Sequence, residues 1–249
     1  MDKHEKNSIT YFLNRMMTII VESTGNIADV VFSEYCNHKE HLNQKPIYNL
    51  FAEAFLSISS VAKLMFDKSW SQASVILRVA IEEVATLYVL SFCPETREAF
   101  VNLFDERGRF LKLSDDEKKK YKKDNNIKGS INEYFDYSWI KDYTKDHKYG
   151  RNQLLKLSHI DEFIVDIEEL LNSFAHGTIS IFQFFNDKEG WGLMSKYGQR
   201  ITKINCKLYD FLCCSFKNYV GDGFYYLELN SYFKEFKELY IFMINTKMW

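Results

Sequence analysis

SQASVILRVAIEEVATLYVLSF, residues 71–92, is the most regular apolar stretch of the chain. Its apolar residues recur at helical spacing and cover most of the circumference of a helix: Val75, Leu77, Val79, Ile81, Val84, Leu87, Tyr88 and Leu90. A helix that is apolar nearly all round is usually buried among other helices. The sequence therefore predicts a central helix over residues 71–92.

Further helices are predicted on both sides of this segment, because apolar residues recur every three or four positions. Their expected ranges are 8–35, with Gly25 bending or splitting the helix, and 50–65, 100–111, 160–176, 201–219 and 225–245. The chain has only two prolines, and both precede such stretches, where proline is tolerated. We predict an all-α, single-domain multi-helix bundle over residues 1–249, and segment 178–185 fits a helix or a strand equally well.

Two sequences in the middle third have the spacing of a helix capping box. Ser114 precedes Glu117 by three residues, and Ser130 precedes Glu133 by three. Polar stretches at 125–130 and 143–152 favour loops. This third of the chain is predicted to be the least packed.

Composition argues against several classes of protein. Thirty-two basic residues against 34 acidic ones give a formal charge of −2, so no overall positive field attracts a polyanion. The longest apolar runs, 16–21 and 179–185, are shorter than the roughly 20 residues of a membrane span. The polar start has no secretory pattern, which predicts a cytoplasmic protein without a membrane partner. Five cysteines are expected to be reduced and to pack in the core: Cys36, Cys93, Cys206, Cys213 and Cys214.

Three side chains are the strongest candidates for a site. Arg78 and Glu82 lie four residues apart in the apolar helix, so they share a face and can pair. His176 follows the second strongly amphipathic helix, where an imidazole can cap carbonyl groups or act as a general base. Each has a structural interpretation, as a register-fixing ion pair or as a helix cap, beside the functional one. If the three converge, they form a compact site with a cation, a carboxylate and an acid–base group.

Other charged or metal-binding patterns favour ordinary structural roles. The basic run at 118–123 follows three acidic residues, as in an exposed helix with acids first and lysines last. The run at 36–41 contains one cysteine and two histidines but lacks zinc-site spacing, so we predict a polar loop and no metal. No phosphate-binding glycine loop or dinucleotide fingerprint occurs, and no cofactor is predicted.

A resemblance rests on the run 71–82, on Trp139 and on the run 171–177, LNSFAHG. These residues resemble a family of uncharacterised bacterial all-helical proteins with Leu-Arg-x-x-x-Glu and Ser-x-x-His-Gly motifs. The likeness covers about residues 52–185, with the C-terminal helices at 201–245 packed on this core. It implies a helical fold and no established activity.

The chain is also similar in outline to the HEPN group of helical bundles, several of which are dimeric RNA-cutting toxins or phage-defence effectors. HEPN nucleases have Arg-Asn-x-x-x-His on one helix. Asn172 and His176 fit this pattern, but Leu171 occupies the arginine position. The resemblance implies a homodimer, with RNA or a protein as a further partner.

Two functional interpretations follow. The favoured one is a non-catalytic binding or regulatory module in a phage-defence or toxin system, with Arg78, Glu82 and His176 as a structural or ligand-holding cluster. The alternative is a metal-independent ribonuclease of HEPN type with a degenerate motif. In that case His176 is the general base and Arg78 stabilises charge in the transition state.

Overall fold

The chain folds into a bundle of helices in a computed structural model that describes residues 3–24, 27–31, 43–175 and 188–247. The helices are α1 (Lys3–Thr24), α2 (Ile27–Val30), α3 (Lys45–Phe66), α4 (Trp70–Phe92), α5 (Arg97–Leu111), α6 (Asp115–Asp124), α7 (Ile131–Tyr137), α8 (Arg151–Leu157), α9 (Asp161–Ala175), α10 (Lys188–Val220) and α11 (Leu229–Asn245). Short 3₁₀ helices occupy Pro94–Thr96, Ser138–Tyr143 and Gly221–Tyr226. No strand occurs within these ranges, which confirms the predicted all-α class.

Helix α4 is the centre of the bundle, as its sequence predicts. It packs against α3, α8, α9 and α10. Leu77, Ile81 and Val84 are fully buried on these contacts. One face is nevertheless open, because Val75 and Val79 keep 44% and 49% of their surface exposed. The described core therefore buries only part of the apolar surface of α4.

A cluster of buried aromatic rings lies where α3 meets α10. Phe51 and Phe55 on α3 contact Phe216 on α10 at ring-centre distances of 5.0 and 5.7 Å. All three rings are fully buried. Tyr209, also on α10, donates a 2.8 Å hydrogen bond to Ser23 of α1, so its hydroxyl is satisfied inside the core. Aromatic burial of this kind supplies a large part of the free energy of folding.

One helix boundary follows the prediction and another differs from it. Helix α1 ends at Thr24 and α2 begins at Ile27, so the predicted helix is divided, and Gly25 lies between the two parts, outside the described residues. Helix α10 begins at Lys188, well before the predicted residue 201. Tyr197 explains part of this extension, since its hydroxyl lies 3.0 Å from that of Ser74 on α4 and the ring is buried. Tertiary packing here overrides a locally weak helical pattern.

Only one of the two predicted capping boxes forms. At the start of α6, the Ser114 hydroxyl accepts from the Glu117 amide while the Glu117 carboxylate accepts from the Ser114 amide. Helix α7 begins after Ser130 as predicted, but the Ser130 side chain makes no capping bond, so the second box is wrong. The spacing permits the box, and the side-chain conformations decide whether it forms.

A few apolar residues of the polar middle third are buried. Phe135, Trp139, Ile140, Leu154 and Leu155 are all buried. The Trp139 indole packs edge-on against the ring of Phe100 on α5, at 5.3 Å. These residues cover one side of α4 and α5. Most of residues 111–150 are exposed or half-buried, in agreement with the prediction that the middle third is the least packed part.

Helix α3 is long and apolar enough to cross a membrane by length and composition alone. In the bundle it packs against α1, α4 and α10. Core helices of globular proteins have the same composition. Phe51 and Phe55 of α3 are fully buried, as expected of a core helix. The expected cytoplasmic location and absence of a membrane partner stay predictions.

The cysteines in the described ranges are free, and two of them lie in the core. Cys206 and Cys213 on α10 are fully buried, while Cys93 and Cys214 are partly exposed. Burial raises the pKa of both core thiols, which keeps them protonated and unreactive. Cys36 and segment 178–185 lie outside the described residues.

Candidate functional site

The groove that contains both Arg78 and Glu82 is the candidate site. It has a volume of about 370 Å³ and lies between α4, α5, α7 and the first part of α3. Its apolar walls are formed by Leu50, Val79, Phe100, Phe104 and Phe135, and its charged residues are Arg78, Glu82, Glu83, Arg107 and Asp136. A concave apolar surface with a few polar groups is the usual form of a ligand site.

Glu82 lies at one end of the groove and is the centre of a hydrogen-bonded network. The Tyr137 hydroxyl donates to its Oε2 at 2.5 Å. The Arg151 guanidinium donates from Nε to its Oε1 at 2.8 Å, and from a terminal nitrogen to Glu168. The network thus joins α4 to the ends of α7 and α8 and to α9. We name these four residues, Glu82, Tyr137, Arg151 and Glu168, the Glu82 network.

Contacts in the Glu82 network raise the pKa of two of its members, Arg151 and Tyr137. Burial lowers the pKa of Arg151, but its bonds and attraction to Glu168 and Glu82 outweigh this and raise it. Burial and the bond to Glu82 raise the pKa of Tyr137 far above its ordinary value. Arg151 is therefore a permanent cation and Tyr137 a permanent donor at neutral pH. Both keep the Glu82 carboxylate engaged.

The backbone positions Arg151 at the first residue of α8. Gly150 before it has φ of +141°, a conformation that residues with a side chain rarely adopt. A Cβ at this position would also come within 3.2 Å of carboxyl and amide oxygens of Glu133 and Gln153. A cation at a helix N-terminus is unfavourable with respect to the helix dipole. The two carboxylates of the Glu82 network offset that cost.

Arg78 lies one turn before Glu82 on α4 and lines the same groove, as its spacing predicts. The two described hydrogen bonds of the Glu82 carboxylate come from Tyr137 and Arg151, which are distant in the sequence. Glu82 therefore has partners that no local spacing indicates, besides the i,i+4 neighbour that the sequence suggests.

His176 lies outside the described residues, directly after the end of the described part of α9. Its convergence with Arg78 and Glu82 therefore stays a prediction. The preceding helix does contribute to the site through Glu168. Leu171, at the arginine position of the HEPN pattern, keeps only 1% of its surface exposed and belongs to the core.

Glu83 is a second carboxyl group of the groove, next to Glu82 on α4. Burial, with the like charges of Glu53 and Glu82, raises its pKa to about 6, although the nearby Ser57 hydroxyl opposes the rise. Its Oε2 is buried and accepts no hydrogen bond from the described residues. A carboxyl group with this pKa changes its charge close to neutral pH.

An ion pair between α5 and α7 borders the groove. A terminal nitrogen of Arg107 donates to Oδ1 of Asp136 at 2.6 Å. The two side chains are 41% and 39% exposed, so solvent screens the pair and its contribution to stability is small. It neutralises one cation and one carboxylate of the groove.

Sequence reasoning missed four of these residues: Glu83, Tyr137, Arg151 and Glu168. Tyr137 and Arg151 lie 55 and 69 residues beyond Glu82, so no local pattern connects them to it. Glu83 had a signal, because it is a second acid in an apolar helix and burying a charge is costly. The Arg-x-x-x-Glu spacing selects its neighbour Glu82 and does not identify Glu83.

The basic run forms helix α6, and none of its residues is buried. Its first turn is acidic, its last turn contains Lys122 and Lys123, and Lys119 lies 3.0 Å from Asp116. These features fit the predicted solvated helix. The Tyr121 ring stacks on Phe135 and lies tilted against Phe110.

Among the described residues, no group of three or more histidine, cysteine or acidic side chains could hold a metal ion. The run 36–41 lies outside them. Comparison of the chain with models of protein families, with curated proteins and with solved structures finds no significant match. The resemblances drawn from the sequence motifs therefore stay predictions.

Proposed function

We propose that this protein is a non-catalytic binding or regulatory module, and that the groove between α3, α4, α5 and α7 is its ligand site. The observation that supports this most is the engagement of both Glu82 carboxylate oxygens, one by Tyr137 and one by Arg151. A carboxylate held in this way stabilises the packing of helices. It is a poor candidate for a general base, which must be free to take a proton.

The groove itself has the properties of a binding site. Its volume of about 370 Å³ suits a small organic molecule or part of one. Val79 and Phe104 on its walls are 49% and 52% exposed, which leaves apolar surface that a ligand can cover. The Glu82 network fixes one end of the groove, so the site is preorganised.

The motifs place the protein, as a proposal, among bacterial helical proteins with an HEPN-like core. On that basis it acts in the cytoplasm as a component of a phage-defence or toxin system, where a ligand-sensing module has an obvious use. A ribonuclease of HEPN type is disfavoured, because a buried leucine at position 171 replaces the arginine of the nuclease motif.

Binding to the groove can be tested with Nile red, an uncharged dye whose fluorescence rises in apolar sites. We expect saturable binding to the full chain, and Phe104→Asp should weaken it by about fivefold or more because it removes half-exposed apolar surface from the wall. The control is Leu111→Asp on the same helix, which is 66% exposed and outside the groove. Equal affinities of both variants and the native chain would place the dye elsewhere and contradict the proposed site.

Catalysis can be tested with labelled single-stranded RNA and a chelator. We expect the native chain and His176→Ala to leave the RNA equally intact. Cleavage by the native chain that His176→Ala abolishes would favour the ribonuclease and refute a non-catalytic module.

A further inference from the structure

We propose that the ligand of the groove is a small organic cation, a protonated amine on an apolar body, and that Glu83 is its charged partner. This inference rests on the proposed function and names the chemical class of the ligand. Four features of the groove support it: a buried carboxylate oxygen without a donor, a negative balance of charge, two neighbouring cations that are already paired, and aromatic walls.

The first feature is the state of Glu83. Its Oε2 is buried and has no hydrogen-bond partner among the described residues. The charges that act most on it are those of Glu53 and Glu82, both of the same sign. A buried carboxylate oxygen without a donor is costly, and the cost disappears when a donor or a cation arrives. Glu83 is therefore the group that a ligand can satisfy.

The second feature is the balance of charge. Arg78 and Arg107 line the groove together with Glu82, Glu83 and Asp136, so the lining has one more formal negative charge than positive. Glu53, which is exposed on α3, adds another negative charge that acts on Glu83. A cationic ligand matches this field, and an anionic one does not.

The third feature is that two neighbouring cations, Arg107 and Arg151, already have carboxylate partners. Arg107 is paired with Asp136 at 2.6 Å. Arg151 donates to Glu82 and to Glu168. Within the described part of the chain, no ion pair links Glu83 to a basic side chain. A cationic ligand can therefore supply the positive charge that pairs with the Glu83 carboxylate.

The fourth feature is the character of the walls. Phe100, Phe104 and Tyr137 line the groove and present aromatic surface. Aromatic faces attract organic cations and also cover the apolar body that bears the charge. The terminal torsion of a glutamate is broad, so a modest rotation turns Oε2 of Glu83 toward a bound ammonium group.

The test is a competition against Nile red with three ligands of similar shape: 2-phenylethylamine, 2-phenylethanol and 3-phenylpropanoate. We expect the amine to displace the dye at about tenfold lower concentration than the alcohol, because it forms a charge-assisted hydrogen bond. The carboxylate should be the weakest competitor. Glu83→Gln should abolish the preference for the amine and leave displacement by the alcohol unchanged.

The matched control is Glu162→Gln, which removes one negative charge from α9, where Glu162 is 71% exposed and outside the groove. The amine preference should persist in this variant. Equal displacement by amine and alcohol, or a preference that survives Glu83→Gln, would overturn the cation inference while dye binding still supports the proposed site. Absence of Nile red binding to the native chain would overturn both proposals.

Discussion

Two contact regions of the bundle are packed in different ways. One is the contact between α3 and α10, and the other is the face of α4 that α7, α8 and α9 cover. In the first, Phe51, Phe55 and Phe216 are fully buried and interlock ring against ring. In the second, the Glu82 network holds the helices, and the side chains of Arg151 and Glu82 keep 17% and 30% exposure. One side is sealed and the other remains accessible to solvent.

The difference shows where a site can form in such a bundle. Apolar packing is non-directional and tolerates no open space. The Glu82 network is directional, so it fixes helix positions without filling the space beside it. The groove lies next to this network, because polar contacts stabilise the assembly there without closing it.

The largest expected effect is on the sealed side. Phe55→Ala removes a fully buried ring and leaves a cavity, so we expect it to lower the free energy of unfolding by about 3–5 kcal/mol. Urea unfolding followed by circular dichroism measures the change. Phe66→Ala, at the exposed end of the same helix with 46% exposure, should cost less than about 1 kcal/mol. Similar losses for the two variants would show that the α3–α10 contact is not the main core.

A smaller loss is expected from the Glu82 network. Arg151→Met leaves two carboxylates close together without their cation, which should cost about 1–3 kcal/mol after allowance for partial exposure. Arg107→Met breaks the more exposed pair with Asp136 and should cost less than about 1 kcal/mol. Both values come from urea unfolding at equal ionic strength.

Replacing the charged members together sharpens this test. The triple variant Glu82→Gln, Arg151→Met and Glu168→Gln leaves no uncompensated charge, so it should be more stable than Arg151→Met alone. A triple variant less stable than the single one would show that the hydrogen bonds of the Glu82 network, and not charge balance, provide its contribution.

The smallest expected effect concerns Glu83 and depends on pH. Its pKa rises from an ordinary 4.5 to about 6 on folding, so the folded chain binds this proton more tightly than the unfolded chain. The destabilisation is complete above the folded value and disappears as pH falls below the unfolded value. Relative to Glu83→Gln, the native chain should therefore gain about 1–2 kcal/mol between about pH 7.5 and about pH 4.5. Urea unfolding at both values measures the gain, and parallel curves for the two proteins would contradict it.

The helices of the bundle were largely predictable, because each one has a local pattern of apolar residues or a capping signal in the sequence. The spacing of Leu77, Ile81 and Val84 predicts α4 and its central place. Ser114 and Glu117 predict the start of α6, and the capping box there is confirmed. The early start of α10 was not predictable, since it depends on the contact of Tyr197 with Ser74.

The candidate site was predictable only in part. Arg78 and Glu82 were identified from their spacing, and both line the groove. The partners of Glu82 could not be identified from the sequence, because Arg151 lies in a polar stretch that resembles a loop. Nothing local distinguishes this arginine from an exposed one until the chain folds back on α4.

The sequence alone determined the class of the protein, since hydrophobic periodicity is a short-range property that each segment expresses by itself. Only the tertiary structure decided which charges meet, where the groove lies and which carboxylate oxygen is buried without a described donor. These properties depend on residues that are distant along the chain and become neighbours only when the helices pack, so no short-range pattern encodes them.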